Sequence, residues 1–379
     1  MSRSILLLCS GLVACQPPDP AELFNALTVD VIADPAEAEA RFVEAVGSAS
    51  DSLHVALPDG DNTELLEALG DAWSSGVEVE LVIDHDQRED PGVVALIDAG
   101  LQITLADAGL TYFEFNLNDE VTWASTDTIM SHAYVISDRQ RLLAATTAGH
   151  LRSGPRILVS FRGEEILEDY LIEHNQIYGG IDATAVTAFD SPAKSIADFR
   201  WRYGTDTPTD LEVWFGPQER LTKRVIDAVY SARSAVWVLT NELANDGLAR
   251  ALQDKAAFGF DVRVVVGPAF RSTSQRLADE LLQDTPDVQK VQIDSVEDVP
   301  TLILVDLPPD QEGYPPHARA MILTHDLVSS ARLYRGQTVV TDQLIDGAMW
   351  VLSNRTPERT ELLGLDALFQ EQFDLGEAL

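Results

Sequence analysis

Two stretches of the chain repeat one arrangement of apolar and polar positions. Residues 52–84 read SLHVALPDGDNTELLEALGDAWSSGVEVELVID, and residues 234–267 read SAVWVLTNELANDGLARALQDKAAFGFDVRVVVG. Each opens on a short apolar run, crosses a polar loop, continues with apolar residues at helical spacing and ends in a Val-rich run. The helical stripe is Leu65, Leu66, Leu69 and Trp73 in the first and Leu248, Leu252 and Ala256 in the second. Gly76 and Gly259 stand where a helix C-cap is expected. Val77–Ile83 and Val262–Val266 have the character of buried parallel strands. The repeat therefore predicts strand–helix–strand twice, offset by about half the chain.

The same order extends on both sides. Helices are expected over Glu37–Val46 and Arg220–Ala232 before each repeat. A helix and a strand are expected after each: Val93–Ala99 and Leu101–Ala106, then Gln275–Leu282 and Val288–Ile293. Strands alternating with helices imply an α/β fold of two tandem lobes, each a mostly parallel sheet with helices on both faces. The expected division is lobe one over 36–189, a linker over 190–210 rich in Pro, Gly, Asp and Thr, and lobe two over 211–379.

The N-terminal segment breaks this pattern. Arg3 precedes a short apolar run from Ile5 to Val13, which is too short to span a bilayer and fits the core of a secretory signal. Leu12-Val13-Ala14-Cys15 resembles a bacterial lipobox, which implies lipidation of Cys15 and a signal over residues 1–15. Residues 16–35 begin Gln16-Pro17-Pro18-Asp19-Pro20, a stiff tether. Gln16 after the cysteine suggests, by resemblance to enterobacterial sorting, a cell-envelope protein held at the outer membrane by its lipid. With Cys9 in the removed segment, no intrachain disulfide is expected.

Charge narrows the function further. The chain has 62 acidic against 26 basic side chains, a net charge of −36, and four lysines. This disfavours a nucleic-acid partner, whose phosphates are held by clustered Lys and Arg.

The ordered elements, seen twice, resemble the phospholipase D superfamily. There each lobe carries HxKxxxxD, then a GSxN strand, then a closing strand and helix. The resemblance implies that one His attacks phosphorus, the other protonates the leaving oxygen, and the Lys residues neutralise building charge. In lobe one the matching strand is Met130–Asp138. Counting back from Asp138, Ser131 takes the His position and Ala133 the Lys position. A register shifted by one puts His132 at the His position, with Tyr134 for Lys and Asp138 out of step. In lobe two the strand is Val299–Asp306. Val299 takes the His position, Thr301 the Lys position, and Asp306 is retained. Ile157–Tyr178 and Thr338–Trp350 resemble the closing strand and helix of the two lobes. His317-Ala318-Arg319 is a displaced alternative to the second motif.

Both HxK pairs are thus degenerate and only the two aspartates survive. The leading expectation is a catalytically retired envelope protein that binds a ligand or partner. The alternative is an active phosphodiesterase that draws on His132, His317 or His325. His150 and Asp326 also fall near the expected cleft. No cofactor is expected; the histidines and acids leave room for a divalent metal, though none is predicted. The acidic run Asp84–Asp90 is expected as a solvated loop. Tyr112, Phe113, Phe115 and Trp123 fall in a segment without clear period and are expected to pack in the core.

Overall fold

The computed structural model describes residues 28–32, 34–60, 62–106, 110–115, 121–126, 129–146, 157–178, 202–204, 209–216, 219, 221–267, 285, 287–293, 299–307, 317–325, 327–328, 330–334, 337–341, 345–354 and 361–378. Cys15, His150, Asp326 and the expected helix 275–282 lie outside them.

Lobe one is built on seven strands: β1 (Thr28–Ile32), β2 (Ser52–Leu57), β3 (Glu78–Asp84), β4 (Ile103–Ala106), β5 (Tyr134–Ser137), β6 (Arg141–Ala145) and β7 (Leu158–Arg162). Across the sheet they run β1-β7-β6-β5-β2-β3-β4. Helices α1 (Pro35–Gly47), α2 (Thr63–Ser74) and α3 (Pro91–Asp98) cover one face. Helix α4 (Glu164–Tyr178) covers the other. Period-two alternation divides the strands between two cores: Leu53, Val55 and Leu57 face α1–α3, while Ala56 joins the α4 side.

Lobe two has nine strands: β8 (Arg202–Gly204), β9 (Thr209–Phe215), β10 (Ala235–Thr240), β11 (Asp261–Val266), β12 (Val288–Gln292), β13 (Thr301–Val305), β14 (Arg319–Leu323), β15 (Ala348–Asn354) and β16 (Glu377–Ala378). Their order is β8-β9-β15-β14-β13-β10-β11-β12-β16. Helices α5 (Leu221–Ser231) and α6 (Asp246–Ala257) pack on one face, and α7 (Glu361–Leu375) on the other.

The duplication reaches individual hydrogen bonds. Asn62 caps α2 by accepting from the Leu65 N–H at 3.0 Å, and Asn245 caps α6 by accepting from Leu248 at 2.9 Å. Gly76 and Gly259 leave those helices at φ 92° and 81°, a region where a side chain is strained.

Four expectations need correction. Both sheets are mixed, not mostly parallel. Within them, among the described residues, only β2-β3-β4 and β10-β11-β12 pair in parallel. β5 and β6 are antiparallel neighbours joined by the short turn 138–140, and β7 pairs antiparallel with β6. The segment read as a tether ends in β1, which pairs with β7. The segment read as linker already contains β8 and the start of β9. Thr338–Trp350 is not a strand and helix: it includes part of a hairpin (Ser330–Tyr334 with Gln337–Thr341) and the start of β15, and the closing helix is α7. Apart from these corrections, Leu110–Phe115 and Val121–Thr126 pair as a second hairpin, which carries Tyr112, Phe113, Phe115 and Trp123.

The α4 face of lobe one and the α7 face of lobe two share one core. Trp350 donates its indole N–H to the Tyr170 hydroxyl across it at 2.7 Å. The two-residue strands Ile129–Met130 and Ile345–Asp346 pair in parallel between the lobes. Among the described residues no helix is long and apolar enough to cross a membrane.

Candidate functional site at the lobe seam

The two aspartates hold equivalent places in the two lobes. Asp138 and Asp306 sit just past the ends of β5 and β13 at φ 51° and 56°. Each turns its carboxylate back onto the backbone that leads into the neighbouring strand. Asp138 accepts from the N–H groups of Ser50, Asp51 and Ser52 at 2.8–3.1 Å. Asp306 accepts from those of Arg233, Ser234 and Ala235 at 2.7–3.3 Å. At Asp138, desolvation works to raise the pKa, but the backbone donors outweigh it and hold the carboxyl below its ordinary value. The equivalence of these clamps makes Ser131 the counterpart of Val299 and Ala133 the counterpart of Thr301.

None of the four positions offers a reactive group to solvent. Ser131 is 6 % exposed, Ala133 1 %, Val299 0 % and Thr301 2 %. The Ser131 and Thr324 hydroxyls are 3.0 Å apart across the seam. Ala133 packs in the core beneath α1 and α2. Val299 lies in the core shared by the lobes, and its N–H donates to Asn241 Oδ1 at 2.8 Å. The Thr301 and Thr240 hydroxyls are 3.2 Å apart. Gly347 closes the seam: a Cβ there would collide with Ser131 Oγ and would stand 2.5 Å from Thr324 Oγ1 and 3.2 Å from His325 Nδ1.

The three candidate histidines stand in different surroundings. His132 is wholly buried, with Nε2 3.2 Å from Glu173 Oε1 and its ring against Tyr134 and Phe215. His325 is also buried. Burial, and then the neighbouring His132, push its pKa down to about 3, so it stays neutral. His317 stands 3.4 Å from Asp306 Oδ2. That is the far end of β13 from Val299, about 20 Å away at the rise of a strand.

A second polar cluster went unnoticed in the sequence. His54 on β2 and Glu80 on β3 are direct partners across the parallel pair, with Nδ1 2.8 Å from Oε2. His174 on α4 brings its Nε2 to 3.4 Å from the same oxygen. The Tyr134 hydroxyl lies 3.0 Å from His174 Nδ1. One metal ligand atom from each of His54, Glu80 and His174 falls within 4.8 Å of the others. Burial acts to raise the Glu80 pKa, yet the neighbouring imidazoles of His174 and His54 carry it well below the carboxylate range. Burial lowers that of His174. The available signal was the repeat itself. His54 and Glu80 are the third residues of consecutive strands, as are Trp237 and Arg263 in lobe two. Which face of α4 meets them is a tertiary fact.

No family model matches the sequence, and no curated protein matches it. Solved structures do resemble the fold. Phosphatidylserine synthase from Haemophilus influenzae Rd KW20 superposes with a TM-score of 0.59 at 10 % identity, covering 94 % of this chain and 89 % of that one. Polyphosphate kinase from Porphyromonas gingivalis gives 0.54 at 11 % identity, covering 95 % of this chain and 49 % of that one. At such identities the likeness concerns the fold alone. Two lobes with equivalent aspartate clamps, facing each other through one core and aligned along nearly the whole chain, give this protein the duplicated phospholipase-D-like fold.

Proposed function

We propose that this protein is a catalytically retired phospholipase-D-like protein, exported and lipid-anchored through Cys15, which serves the cell envelope by binding rather than by turnover. One observation carries the reading. The positions that would supply two nucleophilic or acidic imidazoles and two ammonium groups hold Ser131, Ala133, Val299 and Thr301, all buried. Phosphoryl transfer needs a nucleophile that reaches phosphorus, a proton donor for the leaving group and cationic partners for the equatorial oxygens. The net charge of −36 opposes an anionic phosphodiester as well. An acidic surface instead suits a cationic or neutral envelope partner.

The test is turnover of bis-p-nitrophenyl phosphate and of phosphatidylcholine by the purified full chain in detergent, with and without divalent metal. The expected rate equals that of buffer, from a protein that melts cooperatively. Hydrolysis that disappears in His132→Ala or His325→Ala would overturn the reading and assign a replaced catalytic set at the seam.

A further inference from the structure

The histidine–glutamate cluster of lobe one lies apart from the seam positions, and the function proposed above does not use it. We infer that His54 Nδ1, Glu80 Oε2 and His174 Nε2 form a binding site for a divalent transition-metal ion of the zinc class. Two imidazoles and one carboxylate match the donor set of three-ligand zinc sites. Their mutual separations, all within 4.8 Å and as short as 2.8 and 3.4 Å, suit donors that surround one ion at about 2 Å each.

Three features of the surroundings point the same way. First, His174 is 1 % exposed and its Nε2 makes no hydrogen bond, although it is directed at Glu80. A buried imidazole nitrogen and a carboxylate oxygen that face each other without a formed hydrogen bond leave a place for a cation between them. Second, the His174 ring is set for that role. In the tautomer that donates its Nδ1–H to the Tyr134 hydroxyl, the Nε2 lone pair faces Glu80, and the ring stacks on Tyr178 at 5.6 Å. Third, the other lobe puts a cation at the equivalent spot. Arg263 takes the place of Glu80, bonds Asp261 and Gln370 at 3.1 Å each, and lies over Trp237, the counterpart of His54. Lobe two thus pins strand to helix with a built-in guanidinium. Lobe one has the ligands for a borrowed cation.

Glu80 is about one quarter exposed while both imidazoles are buried. The ion therefore enters from the Glu80 side, and water completes its coordination there. On binding, the ion displaces the proton that His54 and Glu80 share.

The experiment uses the purified full chain, stripped with chelator and desalted. Zinc is added and the protein is desalted again before elemental analysis, and cobalt(II) is bound in parallel for visible spectroscopy. One equivalent of zinc per chain, a higher melting temperature and intense four-coordinate cobalt bands are expected. Glu80→Gln, which keeps the shape of the side chain, should weaken zinc binding at least about 100-fold, at or beyond the upper end for losing even an outer-shell partner. Sub-stoichiometric zinc in the wild type, or undiminished binding by a folded Glu80→Gln protein, would overturn the inference. Should that variant not fold, the wild-type cobalt spectrum decides: four-coordinate bands support the site, and a pale six-coordinate spectrum rejects it.

Discussion

Single residues carry much of the pH behaviour of this molecule. Asp366 on α7 is half-buried, and burial pushes its carboxyl up to about 6, which the Ala367 N–H only partly opposes. The folded state then holds a proton that the unfolded chain releases at 3.8. Stability therefore falls as pH rises from 3.8 to about 6, and the penalty is complete above that. Two pKa units correspond to roughly 3 kcal/mol at 1.36 per unit, which screening at a half-exposed group reduces to about 1 kcal/mol. Asp366→Asn should stabilise the protein at about pH 7.5 and do so much less at about pH 4.5. Denaturation curves at both values check it, and equal gains would refute it. Residue-level chemistry was legible where spacing encodes it. Asp138 and Asp306 are fixed by their seven-residue distance from the degenerate positions. The roles of His54 and His174 were not, because no local spacing relates residues 120 positions apart.

At the scale of elements, the two clamps differ in what they hold. The carboxylate of Asp306 is buried against backbone donors and the Ser234 hydroxyl, whereas the donors around Asp138 are largely exposed. Removing a charged acceptor from buried N–H groups leaves their desolvation uncompensated, while water can replace it at exposed ones. Asp306→Ala should therefore cost about 3 kcal/mol and Asp138→Ala about 1 kcal/mol, read as urea midpoints with unchanged slopes. Equal losses would show that burial does not set the cost. Elements joined by helices were legible, since apolar periodicity and the C-cap glycines Gly76 and Gly259 mark them locally. The hairpins Leu110–Phe115/Val121–Thr126 and Ser330–Tyr334/Gln337–Thr341 were not, because strand pairing depends on a partner and not on the strand's own period. The same dependence explains why the sheets turned out mixed.

For the whole molecule, duplication was visible in the sequence, but the way the halves meet was not. Gly347 sits where the lobes touch, between Ser131 of one and Thr324 of the other. Adding a methyl group there forces two short, buried side chains apart. Gly347→Ala should cost about 1–3 kcal/mol, the usual range for overpacking, with a single cooperative transition preserved. A biphasic melt would mean that the lobes can separate while each stays folded. A neutral effect would mean that the seam is loose.

The core common to both lobes has a consequence for synthesis. Tyr134, Tyr170 and Phe161 of lobe one are covered in part by Phe215 and Trp350 of lobe two. Trp350 follows Tyr178, the last residue of α4, by 172 residues. At roughly 5–20 residues per second on the ribosome, the first lobe waits on the order of ten seconds or more with an aromatic face open to solvent. Its cover does not yet exist. A chain truncated before residue 350 should therefore associate through that open aromatic face, read as light scattering absent from the full chain.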